Sequence, residues 1–223
     1  MRRGQPEMEA DHGRLFFQQH LVHRLVGHEA LVDLAQAGGR RGVFDPEGDD
    51  EGLGTLALVR VLVARTSLPV IAAGGIMDGA GIAAALALGA QAAQLGTAFV
   101  ACDESSADAA YRAALTAAEP RATTLTRAIS GRAARGFTSR FTALGVAPGA
   151  PEIPDYPVTY DAGKALHAAA KAKGVSEFAA QWAGQAVPLA RALPAGALVA
   201  QLTTELREAL DRLSSLRTSI KEG

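Results

Sequence analysis

Two glycine-bearing turns, Gly74-Gly75 and Gly96-Thr97, stand about one βα unit apart, each directly after a short apolar run. The chemistry they suit is the cradling of an anion. Glycine leaves backbone amides bare, so an oxyanion can approach several N–H donors at once, and a threonine hydroxyl adds another. A helix starting just after such a turn contributes the positive end of its dipole. Glycine also ends strands in turns that bind nothing, so one Gly-Gly alone carries little weight. A second turn at this spacing is what directs the reading to phosphate.

The elements that must position these turns follow from periodicity. Leu68-Pro69-Val70-Ile71-Ala72-Ala73 is a short apolar run with β-branched residues, the pattern of a buried parallel strand. Asp78 and Gly79 lead into an alanine-rich helix over residues 81–88, which Gly89 can end in the left-handed conformation. Ala92-Ala93-Gln94-Leu95 is the next strand, and another is expected at residues 30–35. Strands alternating with helices predict an α/β fold with a parallel sheet. In a (β/α)8 barrel the loops after strands seven and eight commonly bind phosphate. The expected architecture is therefore a partial (β/α)8 TIM-type barrel, its C-terminal strands, over residues 30–147. An atypical N-terminal segment at 1–29 precedes it and a helical region at 148–223 follows.

Farther along, residues 105–118 predict a helix with Tyr111 and Leu115 on one face. The segment from Thr123 to Arg135 carries Arg127, Ser130, Gly131 and Arg132, arginines available to an anion although loop arginines are commonly just solvated. Pro148, Pro151, Pro154 and Pro157 mark an irregular linker flanked by Tyr156 and Tyr160. Helices are expected at 161–174, where Lys164 could reach an anion, and at 176–192, with Ser176 as N-cap and Glu177 in the first turn. A final helix over 197–213 repeats Leu198, Leu202, Leu206, Leu210 and Leu213, a core or partner stripe.

Composition excludes several roles. Hydrophobic residues make up 48%, charged residues 20%, and the formal net charge is −1, so no basic face for nucleic acid or a membrane surface is expected. No unbroken apolar stretch of spanning length and no signal-peptide pattern occurs, which makes a cytoplasmic location the default expectation. The single cysteine, Cys102, excludes an intramolecular disulfide and suits a small apolar filler. His20, His23 and His28 lack carboxylate or thiol partners at ligand spacing, so no metal is expected.

The glycine turns sit in a wider pattern. Ala73-Gly74-Gly75-Ile76, then Asp78-Gly79-Ala80-Gly81-Ile82 and Gln94-Leu95-Gly96-Thr97-Ala98-Phe99, resemble the FMN-binding half of the nitronate monooxygenase family, formerly the 2-nitropropane dioxygenases. Upstream, Gln36-Ala37-Gly38-Gly39-Arg40-Arg41-Gly42 with Phe44-Asp45-Pro46 resembles the family's E-A-G-G-H-R-G motif. Downstream, Ile129 to Gly136 resembles its S-G-R-x-A-R-G segment, where the family's chain crosses back over the barrel mouth. Gln181-Trp182-Ala183-Gly184-Gln185 and Leu193-Pro194-Ala195 resemble its W-x-G-Q and P-A segments. The likeness runs from about Val32 to about Leu206.

This resemblance implies a flavin-dependent (β/α)8 barrel that oxidises alkyl nitronates with O2. It implies FMN held by Gly38, Gly39, Ala73, Gly74, Gly75, Gln94, Gly96 and Thr97, and aromatic residues near Tyr156 and Tyr160 lining the substrate pocket. Arg40 stands where the family pattern has its catalytic histidine, and Gln36 where it has glutamate. A guanidinium stays protonated at neutral pH, so the proton transfer assigned to that histidine is expected to be impaired.

The first strands that a barrel of about 250 residues would need are not legible in residues 1–31, where only residues 15–26 suggest a short helix. A truncated product, a misplaced start and a frameshifted 5′ end joined to a genuine 3′ half all fit. With about three strands recognisable, open sheet edges and self-association through them are expected. Three functional readings stand: a nitronate monooxygenase-like enzyme, an FMN-dependent enoyl-ACP reductase-like enzyme, and a non-catalytic phosphate-binding remnant.

Overall fold

The computed structural model describes residues 32–35 and 53–221, with side chains described from 53 to 216. Gln36, Gly38, Gly39, Arg40 and the short helix expected at 15–26 lie outside the described residues.

Three short strands form a parallel sheet in the order β1 (Val32–Ala35), β2 (Val70–Ala73), β3 (Ala92–Gln94). The apolar run at 70–73 takes the central place: Val70 and Ala72 are fully buried. Helix α1 (Thr55–Arg65) connects β1 to β2, and α2 (Gly79–Ala87) connects β2 to β3. Val59, Val70, Ala72, Ile76, Ala85 and Ala90 form the core between helices and sheet. α1 has no counterpart among the sequence-predicted elements, because its three valines weaken helix propensity and mask its period. Tertiary contacts rescue it: Val59 is buried, and Arg60 Nη1 donates to the Leu88 carbonyl at 2.8 Å, placing a cation on the C-terminal end of α2.

The strand, helix and turn expected between residues 68 and 95 all form. Asp78 caps α2, its Oδ1 accepting from Gly81 N–H at 2.7 Å, and Gly89 ends the helix at φ +100°. The α/β class and the βα succession of a barrel-type fold are thus present. Among the described residues the sheet does not close, and β3 lies at its edge with Ala92 and Gln94 exposed.

Beyond β3 come α3 (Thr97–Val100), α4 (Ala109–Leu115), an antiparallel hairpin of β4 (Thr123–Thr126) and β5 (Ala134–Phe137), α5 (Arg140–Leu144), α6 (Val158–Lys171) and α7 (Ala195–Lys221). Tyr111 and Leu115 share the inward face of α4, Tyr111 donating its hydroxyl to the Trp182 carbonyl. Burial pushes the Tyr111 phenol far above its ordinary range, and the Trp182 hydrogen bond opposes this only in part.

The helix expected at 176–192 does not form. Instead Phe137 N–H donates to the Gln181 carbonyl at 3.0 Å and Ala183 N–H to the Arg135 carbonyl at 3.2 Å, so residues 181–183 lie along the free edge of β5. Backbone groups used sideways cannot also serve a helix, and Gly184 and Pro188 disfavour one locally. Only a 3-10 turn, Val187–Leu189, remains. Gly136 permits the close pairing: a Cβ there would sit 2.8 Å from the Gln181 carbonyl oxygen. The C-terminal region is therefore two helices joined by an irregular crossing.

The leucine stripe of the last helix is also only partly realised. Leu198 and Leu202 are buried with Met77, Ala98 and Cys102, whereas Leu210 and Leu213 are 47% and 48% exposed. Four residues advance a helix by about 400°, so a strict four-residue repeat drifts about 40° per step off its face. Ala209, not Leu210, continues the buried line.

Candidate cofactor site

The parallel register decides where the glycine turns lie. Ala35 pairs with Ala73, and Ala73 with Gln94, so β1, β2 and β3 end flush. Gly74-Gly75 and Gly96-Thr97 consequently emerge side by side at one edge of the sheet. Gly74 and Gly75 have φ of +101° and +75°, conformations that an L side chain adopts only under strain. Gly96 is different, with φ −97° and ψ −68°, values that any residue tolerates. At Gly75 and at Gly96 an added Cβ would meet nothing within 4 Å among the described residues. Glycine at position 96 is thus not required by the backbone, and it keeps clear the space in front of the turn.

The rim is anchored from two directions. Thr55 Oγ1 donates to the Gly74 carbonyl at 2.9 Å, tying the start of α1 to the first turn. Gly184 N–H donates to Thr97 Oγ1 at 3.0 Å, tying the crossing segment to the second. Thr97 spends an acceptor lone pair on that bond, so its own hydroxyl proton stays available for an anion. Of the other expected contacts, Ala73 is buried under the turn and Gln94 is exposed at the strand end.

The start of α2 is occupied by carboxylates. Gly81 N–H bonds Asp78 Oδ1, and Gly79 N–H bonds Glu205 Oε2 at 3.0 Å. These amides are therefore not donors for a ligand, contrary to the simplest helix-dipole picture.

Glu205, on α7, also receives Arg191 Nη1 and Gln201 Nε2. Partial burial acts to raise its pKa, but the bonds from Gly79, Arg191 and Gln201 outweigh it and hold the carboxyl below its ordinary 4.5. A lowered folded-state pKa stabilises the fold above the unfolded value, and that contribution disappears as pH falls through the folded value. Thermal melts are expected to show Glu205→Gln less stable than the unsubstituted chain near neutrality, with the gap closing as pH falls below the ordinary glutamate range. A gap independent of pH would show that the ionised carboxylate contributes nothing.

A second group of side chains gathers between the hairpin and α6. Arg132 lies 5.0 Å over the Tyr156 ring, Tyr156 and Tyr160 have centroids 5.7 Å apart, and Lys164 Nζ lies 4.8 Å over Tyr160. Asp161 pairs with Lys164 at 2.9 Å, and that hydrogen bond is the main reason its ammonium is held more firmly charged than usual. Arg127 is paired with Asp155 at 2.8 Å. Tyr160 and Lys164 stand one helical turn apart on α6, a signal readable in sequence once the residues after Pro157 are recognised as a helix, and Tyr156 reaches Tyr160 from just before its start. Cys102 is buried, and burial raises its thiol pKa, so it is the apolar filler expected. Among the described residues no cluster of His, Cys, Asp or Glu could hold a metal, and no helix is long and apolar enough to cross a membrane.

Comparison with known proteins sets this geometry in a lineage. The family model for nitronate monooxygenase matches residues 26–205. The chain is 64% identical over 188 residues to a nitronate monooxygenase of Paraburkholderia phytofirmans, covering 84% of this chain and 51% of that one. It is 61% identical over 182 residues to a nitronate monooxygenase of Pseudomonas aeruginosa, covering 81% and 52%. Among solved structures it is similar to a nitroalkane oxidase from Streptomyces ansochromogenes, with 44% identity and a TM-score of 0.71 over 79% of this chain and 50% of that one. It is similar to FabK from Thermotoga maritima, with 28% identity and a TM-score of 0.65 over 88% and 60%. The chain spans about half the length of the curated relatives it matches. With the family model covering most of its length, the chain belongs to the nitronate monooxygenase family.

Proposed function

We propose that the chain carries the FMN-phosphate site of an FMN-dependent nitronate monooxygenase, an oxidoreductase acting on alkyl nitronates and O2. The observation that carries this reading is the clear space before Gly75 and Gly96 at two strand ends held flush by the register. A phosphate there would meet bare amides and the Thr97 hydroxyl, and at Gly75 and Gly96 the described residues leave room for it. In this reading the three parallel strands are C-terminal strands of a closed barrel. The family resemblance adds Gly38, Gly39, Ala73 and Gln94 as cofactor contacts.

The flavin, when bound, supplies the electron transfer between nitronate and O2, which side chains alone cannot perform. The chain's own contribution is placement. Gly74, Gly75, Gly96 and Thr97 hold the phosphate, which fixes the rest of the cofactor relative to the sheet. Arg132, stacked on Tyr156 beside Tyr160, offers positive charge and aromatic surface suited to a small anionic nitronate, while the Lys164 charge is partnered by Asp161. Arg40 adds a permanent cation where the family has a proton acceptor, which favours substrates that arrive already deprotonated.

Gly96→Val tests the site without straining the backbone. It is expected to abolish flavin retention, read as loss of visible absorbance after purification, with little change in the melting temperature of the flavin-free protein. Full flavin occupancy in Gly96→Val would overturn the assignment. A reductase reading is favoured by the likeness to FabK; NADH consumption in the absence of nitronate would select it.

The edge of β3, unpaired among the described residues, leads to one more expectation. Exposed strand edges recruit partners, so sedimentation is expected to show self-association that grows with concentration. A compact monomer throughout would refute it.

A further inference from the structure

Helix α7 packs against the segments that follow both glycine turns, and its contacts are more specific than packing alone needs. Arg191 Nη2 donates to the Met77 carbonyl at 2.7 Å, and Arg191 Nη1 pairs with Glu205. Glu205 Oε2 accepts from Gly79 N–H. One ion pair therefore grips residues 77 and 79 of the loop that begins with Gly74-Gly75. Gly79 allows the grip: a Cβ there would lie 2.1 Å from the Leu206 amide nitrogen. On the other turn, Ala98 and Cys102 of the segment after Gly96-Thr97 pack with Met77 on Leu198 and Leu202 of the same helix. The two turns thus share one support.

The charges matter as well as the geometry. Asp78 and Glu205 place two carboxylates at the start of α2, behind a loop that must receive an anion. Uncompensated, they would repel a phosphate. Arg191 pairs with one of them while binding the loop backbone, so a single side chain both fixes the loop and offsets the charge behind it.

We infer that Arg191 and Glu205 form a positioning clamp that sets the loop from Gly74 to Gly79 for phosphate, coupling the docking of α7 to cofactor affinity. The inference rests on the cofactor reading proposed above and names the residues that hold its site in shape. Neither side chain is a catalytic residue; both act through the loop backbone.

The test compares FMN with riboflavin, which lacks the phosphate, by fluorescence titration of the full chain. Arg191→Ala is expected to weaken FMN about tenfold or more, the effect of a lost charge-assisted bond, and to leave riboflavin unchanged; Glu205→Ala, which removes a repelling charge along with the bond to Gly79, is expected to weaken FMN by less. Glu205→Gln keeps an oxygen to accept from Gly79 N–H and is expected to recover part of the loss. Equal weakening of FMN and riboflavin in Arg191→Ala would mean general loosening, and unchanged FMN affinity would mean no clamp; either overturns the inference. Hydrogen exchange at residues 74–79 decides the matter separately from flavin. Faster exchange there in Arg191→Ala, with β2 protection retained, supports the clamp, and unchanged exchange refutes it. Should the unsubstituted chain bind no FMN, the functional reading fails while the exchange measurement still judges the clamp.

Discussion

Arg40→His is expected to raise turnover of a neutral nitroalkane by about 10²–10⁴-fold, the usual contribution of a positioned general base, while changing turnover of the preformed nitronate little. The argument is one of protonation. A neutral nitroalkane must lose its α-proton before it can donate an electron, and a guanidinium has no lone pair to take that proton at neutral pH. A nitronate has lost it already, and for that anion the Arg40 charge is favourable. Initial rates of O2 consumption with both substrate forms, before and after the change, measure the effect. Equal rates for the neutral substrate would show that position 40 does not exchange the proton.

Position 40 also marks how far sequence alone reaches. The first glycine turn is legible because local rules decide it: a β-branched apolar run, two glycines that need positive φ, and an aspartate N-cap act within about ten residues of one another. The same holds for the helix after Asp78 and for Gly89 at its end. What sequence reading missed depends on distant partners. Ser176 and Glu177 announce a helix, yet the free edge of β5 captures residues 181–183 and overrides that propensity. Helix α1 shows the reverse, since its valines disfavour a helix that packing against Val70 then imposes. The Arg191–Glu205 pair joins residues 14 apart to a loop more than 100 residues upstream, and no spacing rule reports such a contact. Gly79 was legible as a helix start, but not as the place where another backbone would touch.

That contact sets the sign of the last prediction. Gly→Ala within a helix ordinarily stabilises by roughly 0.5–1 kcal/mol, because alanine gives up less backbone entropy on folding. Gly196, near the start of α7, has nothing within 4 Å of an added Cβ, so Gly196→Ala is expected to raise the melting temperature by a few degrees. Gly79→Ala faces the opposite balance. Its Cβ would lie 2.1 Å from the Leu206 nitrogen, 2.4 Å from the Glu205 carbonyl carbon and 2.5 Å from the Glu205 Cβ. The first two atoms are backbone, which no rotamer change removes, so α7 must lift from α2 as a body. Overpacking of this kind costs about 1–3 kcal/mol or more, which exceeds the propensity gain. Lifting α7 also draws Leu198, the most deeply buried leucine, out of its contacts with Met77 and Cys102. Gly79→Ala is therefore expected to lower the melting temperature by several degrees while Gly196→Ala raises it, the two measured side by side in calorimetry. A stabilised Gly79→Ala would mean that α7 does not dock on the start of α2, and the support proposed for the glycine turns would fall with that contact.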